Sequence, residues 1–176
     1  MEQISLADER IIEKQLGRMP RGLLGIARRC RYGYPQVTVV YPLVEGEPFP
    51  TTYWLTCPFL SKEIDRLEAQ RWVERATARA KSDKTFRNDL ERAHRAYIAA
   101  RLHLLTSEDR VCLRRTGMLR DLTEKGIGGI AAFAHVKCLH LHVAHALVDA
   151  NPVGELVLQQ LEARDCSPKN VICSAL

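Results

Sequence analysis

No stretch of this 176-residue chain approaches the ~18 consecutive apolar side chains that a membrane-spanning helix needs, so no insertion into a bilayer is expected. Met1 to Gln15 alternates acids, bases and aliphatics and lacks the apolar core of a secretory signal, which predicts a protein that stays in the cytoplasm. There is no internal repeat and no low-complexity linker, so residues 1–176 are expected to form one domain. Helix-turn-helix, zinc-finger and aromatic-rich sheet patterns are also missing. Gly126-Ile127-Gly128-Gly129 lacks the lysine and the preceding strand of a phosphate-binding loop, which removes the usual signal for nucleotide chemistry. The close C-x-x-C pair typical of structural zinc sites is absent too.

What is present is ordinary globular material, 46% apolar and 27% charged, with a net charge of +5. Arg71, Arg75, Arg79, Arg87, Arg92, Arg95 and Arg101 are interleaved with Glu68, Glu74, Asp83, Asp89 and Glu91. That mixture reads as a solvated helical surface, with nucleic-acid binding expected to be weak and salt-sensitive at most. The sequence leaves open an unidentified protein partner and the oligomeric state.

The order of elements can be read from periodicity and caps. Ser5-Leu6-Ala7-Asp8 opens a helix with a capping box, and Gly17 ends it, giving an N-terminal helix within 1–18. Gly22 to Arg29 reads as extended. Val37 to Tyr41 and Thr51 to Thr56 are β-branched and aromatic runs around a turn at Glu45-Gly46-Glu47, which predicts a β-hairpin. From Ser61 the apolar period changes to about 3.6 residues. Leu60, Ile64, Leu67 and Arg71 share a face continued by Trp72, Val73 and Ala76. After a break at Ser82-Asp83 comes the stripe Phe86, Leu90, Ala93 and Tyr97. Short helical pieces are expected over 106–125 and a flexible turn over 126–129. A helix should run from about Val136 to Asp149, and another should start at Asn151-Pro152. The tail, 165–176, is expected to be irregular. The fold class is therefore α+β, a small antiparallel sheet packed on a long helical hairpin and two C-terminal helices.

The chemistry gathers in two groups. His135, His140, His142 and His145 lie close together with Cys138 among them. On one helix Cys138, His142 and His145 would share a face, with Cys138 and His142, or His142 and His145, close enough for one ion. The plain alternative is a set of solvated or hydrogen-bonded imidazoles. The second group is the cysteines. Six thiols (Cys30, Cys57, Cys112, Cys138, Cys166, Cys173) without an export signal argue for core packing, metal ligation or thiol chemistry over a disulfide framework. Cys30 precedes the first hairpin strand and Cys57 ends the second, so both should sit at the open end of the hairpin, where Cys138 is expected to join them. The alternative is that they are small buried hydrophobes, a reading that suits Cys112 in Val111-Cys112-Leu113 best.

Arg29-Cys30-Arg31-Tyr32-Gly33-Tyr34-Pro35, Pro48-Phe49-Pro50-Thr51, Trp54-Leu55-Thr56-Cys57-Pro58, Val136-Lys137-Cys138-Leu139-His140, Ala144-His145-Ala146-Leu147 and Asn151-Pro152-Val153-Gly154 together resemble the bacterial family catalogued as domain of unknown function 501. The resemblance spans about residues 20–160 and implies a bacterial cytoplasmic protein, without supplying an activity. It marks Cys30, Cys57, Cys138, His140 and His145, and in the tail Cys173 or Cys166; His142 is less characteristic. The resulting candidate metal ligands are Cys30, Cys57, Cys138, His140, His145 and Cys173, with zinc preferred slightly over an iron–sulfur cluster. Two function classes follow: a binding or regulatory protein stapled by its metal, or a hydrolase or group transferase using the metal or a thiolate.

Overall fold

The structure is a computed structural model that describes residues 1–176. Helix α1 (Leu6–Leu16) starts where Ser5 Oγ accepts from the Asp8 amide and the Asp8 carboxylate accepts from the Ser5 amide. It stops at Gly17, whose φ of 71° is the left-handed conformation that glycine adopts without strain. Strands β1 (Leu23–Arg29), β2 (Pro35–Val40) and β5 (Tyr53–Leu55) form one antiparallel sheet in the order β1-β2-β5. The central strand β2 is buried along its whole length, which explains its continuous apolar and β-branched run. A two-residue ladder, β3 (Leu43–Val44) with β4 (Glu47–Pro48), forms within the connection and absorbs Pro48 away from the main sheet.

Three helices follow where two were expected. Helices α2 (Pro58–Ala69) and α3 (Trp72–Ser82) are separated at Arg71, which takes a left-handed φ of 63°, and α4 (Lys84–Leu104) begins after Asp83 caps the Phe86 amide. Arg71 is therefore the hinge between two helices and not part of a continuous stripe. Ion pairs such as Arg92–Asp89 and Arg66–Glu63 lie along the outer faces, as the mixed charges indicate. Helices α5 (Ser107–Arg115) and α6 (Leu119–Thr123) supply the short pieces. Cys112 is exposed on α5, and it is Leu113 beside it that is buried, so the thiol is not a core residue.

Helix α7 (Leu139–Ala146) is shorter than its periodicity suggests, because Cys138 stands outside it at the N-cap with extended backbone. The face shared by Cys138, His142 and His145 therefore does not exist. Helix α7 packs on β5 and on α8 (Pro152–Gln160), and the Asn151 side chain caps α8 through the Val153 and Gly154 amides. The main core joins Val37, Leu60, Ile64, Leu90, Val143 and Val157 from sheet and helices. Helices α7 and α8 pack closely at Gly154: a Cβ there would lie 2.3 Å from the His142 carbonyl oxygen and 2.4 Å from Ala146 Cβ. Gly154→Ala is accordingly expected to destabilise the protein by about 1–3 kcal/mol, read as a lowered urea midpoint at unchanged slope. No helix is long and apolar enough to cross a membrane.

Candidate metal centre

The structure distributes the sequence-predicted ligands over three places. The first is built from α2 and the start of α7. Cys138 Sγ lies 3.6 Å from His140 Nδ1, and that nitrogen lies 3.3 Å from Glu68 Oε1. The ligand atoms of these three residues are all within 4.8 Å of one another, a group that can hold a metal ion. Glu68 also accepts the Leu139 amide at 2.6 Å, so the carboxylate closes the open N-terminus of α7 from a helix 71 residues away in sequence.

His140 is oriented from its other side. Its Nε2 lies 3.3 Å from the Ser61 carbonyl oxygen and 3.4 Å from Asp65 Oδ1. With Nε2–H donating outward, Nδ1 is left to face Cys138 and Glu68, the arrangement that fixes the tautomer of a metal-binding imidazole. Partial burial acts to lower the pKa of His140, but the hydrogen bond and charge of Cys138, with Glu68 and Asp65, outweigh it and raise it to about 9.

The second place is a four-cysteine cavity. Cys30, following β1, and Cys57, at the N-cap of α2, meet Cys166 and Cys173 of the folded-back tail. Cys57 and Cys173 are buried, and Cys30 and Cys166 partly so. Burial pushes the Cys57 thiol up to about 11, although the amides of Leu60 and Phe59 favour its thiolate. Antiparallel pairing of β2 with β5 brings Cys30 and Cys57 to the same end of the sheet, but Cys138 faces Glu68 and His140, not these thiols. A single site uniting Cys30, Cys57 and Cys138 is therefore not formed: Cys57 begins α2, whereas Cys138 lies beside Glu68 in its last turn.

The third place holds His145, and it is a hydrogen-bonded core. Asn151 Oδ1 is taken by two backbone amides, so its Nδ2 donates, at 3.2 Å to His142 Nδ1 and at 3.1 Å to His145 Nδ1. The Ile127 amide donates to His94 Nδ1 at 2.9 Å. All three imidazoles accept at Nδ1, so each is neutral with its proton on Nε2. Burial is the first cause that lowers their pKa values, to about 4 for His94, about 3 for His142 and about 4 for His145. Gly126 is packed here as well: a Cβ would meet His94 Nδ1 at 2.2 Å, so the glycine turn serves close packing.

Residues 26–159 match the family model described as Protein of unknown function (DUF501). The chain belongs to that family. No curated protein and no solved structure matches this DUF501 chain. The matched stretch contains Glu68, Cys138 and His140. Glu68 carried no sequence signal, standing among many mixed charges with no spacing that tied it to Cys138. Cys166 was legible only as an alternative to Cys173.

Proposed function

We propose that this DUF501 protein is a metal-binding protein with a structural or regulatory role, holding a zinc-type ion through Cys138, His140 and Glu68. The observation that carries the reading is the spacing of the donors. Tetrahedral zinc with ordinary bond lengths places a thiolate sulfur and an imidazole nitrogen about 3.6 Å apart, and a nitrogen and a carboxylate oxygen about 3.4 Å apart. The corresponding separations here are 3.6 and 3.3 Å. Three protein donors leave a fourth position open, and the contacts of His140 Nε2 with the Ser61 carbonyl and Asp65 support a preorganised ligand. The sizeable cavities lie elsewhere on the surface, which favours binding or regulation over turnover of a bulky substrate.

Cobalt substitution tests the reading. One equivalent of Co(II) is expected to give a thiolate charge-transfer band that disappears in Cys138→Ser, and Asp65→Asn is expected to weaken affinity about 10-fold or more. A band unchanged in Cys138→Ser and in Asp65→Asn would refute it. A second reading rests on the same contact: Cys138 at Nδ1 of His140 and Asp65 at its Nε2 form a thiol–imidazole–carboxylate relay suited to nucleophilic chemistry. That reading requires metal-free protein whose Cys138 reacts with iodoacetamide faster than exposed Cys112 does, with the advantage lost in His140→Ala.

A further inference from the structure

We infer that the cavity bounded by Cys30, Cys57, Cys166 and Cys173 is a binding site for a four-iron, four-sulfide cluster, separate from the centre at Cys138. Four thiols from three parts of the chain converge on one enclosed space: one after β1, one before α2, and two from the tail. In a chain of six cysteines, that convergence uses every one except the exposed Cys112 and the Cys138 of the first site.

The dimensions select the occupant. The centre of a water-sized sphere can range over about 10 Å³ among the thiols, so the space is larger than a single water. Such a sphere keeps its centre roughly 3 Å from a sulfur nucleus, beyond the ~2.3 Å of a zinc–thiolate bond. The sulfurs are also too widely spaced for one ion. No three of them lie mutually within 4.8 Å, a spacing met by Glu68, Cys138 and His140 alone. Tetrahedral zinc would hold four sulfurs about 3.8 Å apart. In a four-iron cluster each thiolate meets a different iron, with the cluster's own sulfides between them, so the four thiolates stand farther apart.

The surroundings suit an anionic, solvent-shielded cluster. Gln15 Nε2 donates to Cys173 Sγ at 3.2 Å, a hydrogen bond of the kind that tunes such centres. Cys57 sits at the N-terminus of a twelve-residue helix, where the dipole favours a bound anion, and Pro58 follows it at the first helical position. Tyr32 and Tyr34 wall the cavity, and the Tyr32 hydroxyl donates to the Cys166 carbonyl oxygen at 2.9 Å, fastening the tail over it. Cys173 is held on a short 3-10 turn, Ile172–Ala175. The cluster therefore closes the tail onto the sheet.

The exchange is balanced without an oxidant. When the full chain is mixed anaerobically with a preformed four-iron, four-sulfide cluster carried by 2-mercaptoethanol thiolates, four iron–thiolate bonds to the carrier break. Four bonds to cysteine form, and each cysteine proton passes to a departing thiolate. After gel filtration the wild-type chain is expected to retain four irons and four sulfides with broad visible absorption. Cys57→Ser and Cys166→Ser should each reduce this below one cluster per two chains. Cys166 is only partly buried, so its variant remains folded, as circular dichroism would verify. Cys112→Ser and Cys138→Ser should retain the full complement, and Cys138→Ser at the same time loses the cobalt band of the first site, so the two proposals fail independently. Iron no higher in wild type than in Cys166→Ser would overturn the inference. So would one tightly held zinc that is lost in Cys57→Ser but kept in Cys138→Ser.

Discussion

Acidification from about pH 7.5 to about pH 5 is expected to unfold the metal-free protein, because three buried imidazoles must remain neutral for the core to hold. His94, His142 and His145 each accept a hydrogen bond at Nδ1, so a proton there would replace an acceptor with a donor facing another donor. Their pKa values lie well below the ordinary value of 6.5 in the folded state. The unfolded chain therefore takes up protons first as pH falls. The stabilisation is complete above about pH 6.5 and is lost on the way down to about pH 4, at ~1.4 kcal/mol per pH unit for each imidazole, roughly 4 kcal/mol per unit for all three. A domain of ordinary stability does not survive that slope for long. His140 works in the opposite sense. Its folded pKa is raised to about 9, so its contribution is full below about pH 6.5 and disappears as pH rises through 9. Carboxylates such as Asp8, held low chiefly by Arg29, act only at more acidic pH than the histidine window. Urea titrations at several pH values measure the effect. Equal stability at pH 7.5 and pH 5 would contradict the neutral-histidine core.

Arg101→Ala is expected to cost about 3–5 kcal/mol, comparable with the removal of a buried ion-pair partner. Arg101 is the largest fully buried side chain, yet no carboxylate faces it. Its guanidinium instead donates to backbone carbonyl oxygens: Nη1 to Pro50 at 2.9 Å, and Nη2 to Leu122 and Lys125. One cation thus ties α4 to the loop before β5 and to the end of α6. Burial lowers its pKa, and the stacked Tyr97 ring lies 5.8 Å from its carbon. Truncation leaves three carbonyls short of a donor and opens a large cavity. Arg101→Lys restores a charge but not the planar fork, so it should recover only part of the loss. Arg95→Ala is the control, since its pair with Glu91 is exposed and such pairs contribute ~0.5 kcal/mol. Thermal and urea unfolding of the variants decide the matter; a loss at Arg101 no larger than at Arg95 would show that the carbonyl cage is not a stability element.

Local chemistry made much of the fold legible. The Ser5–Asp8 box, the glycine stop at Gly17, the β-branched and aromatic runs of β2 and β5, and Asn151-Pro152 each specify an element through residues close in sequence. The boundary at Arg71 was not legible, because a left-handed arginine carries no sequence signal and apolar periodicity runs through it. The short α7 escaped for a related reason: the start is fixed by Glu68 accepting the Leu139 amide, a contact made across 71 residues. The site residues followed the same division. Cysteine count and hairpin geometry pointed to Cys30 and Cys57 sharing one end of the sheet, whereas the partition of Cys138 from them depends on which turn of α2 faces α7. His145 was indistinguishable in sequence from a ligand, and its role in the core is set by Asn151 and by Tyr53 and Tyr97 packed against its ring.

Zinc affinity, measured by competition with a chromophoric chelator, tests the central claim most directly. The experiment uses a Cys166→Ser/Cys173→Ser chain, so that the thiols of the cavity cannot contribute a four-sulfur site. This chain is expected to bind one zinc per molecule, and adding Cys138→Ser or His140→Ala should weaken binding at least 100-fold. Equal zinc binding with and without Cys138 and His140, or no zinc bound by the starting chain, would contradict a metal centre at Glu68, Cys138 and His140.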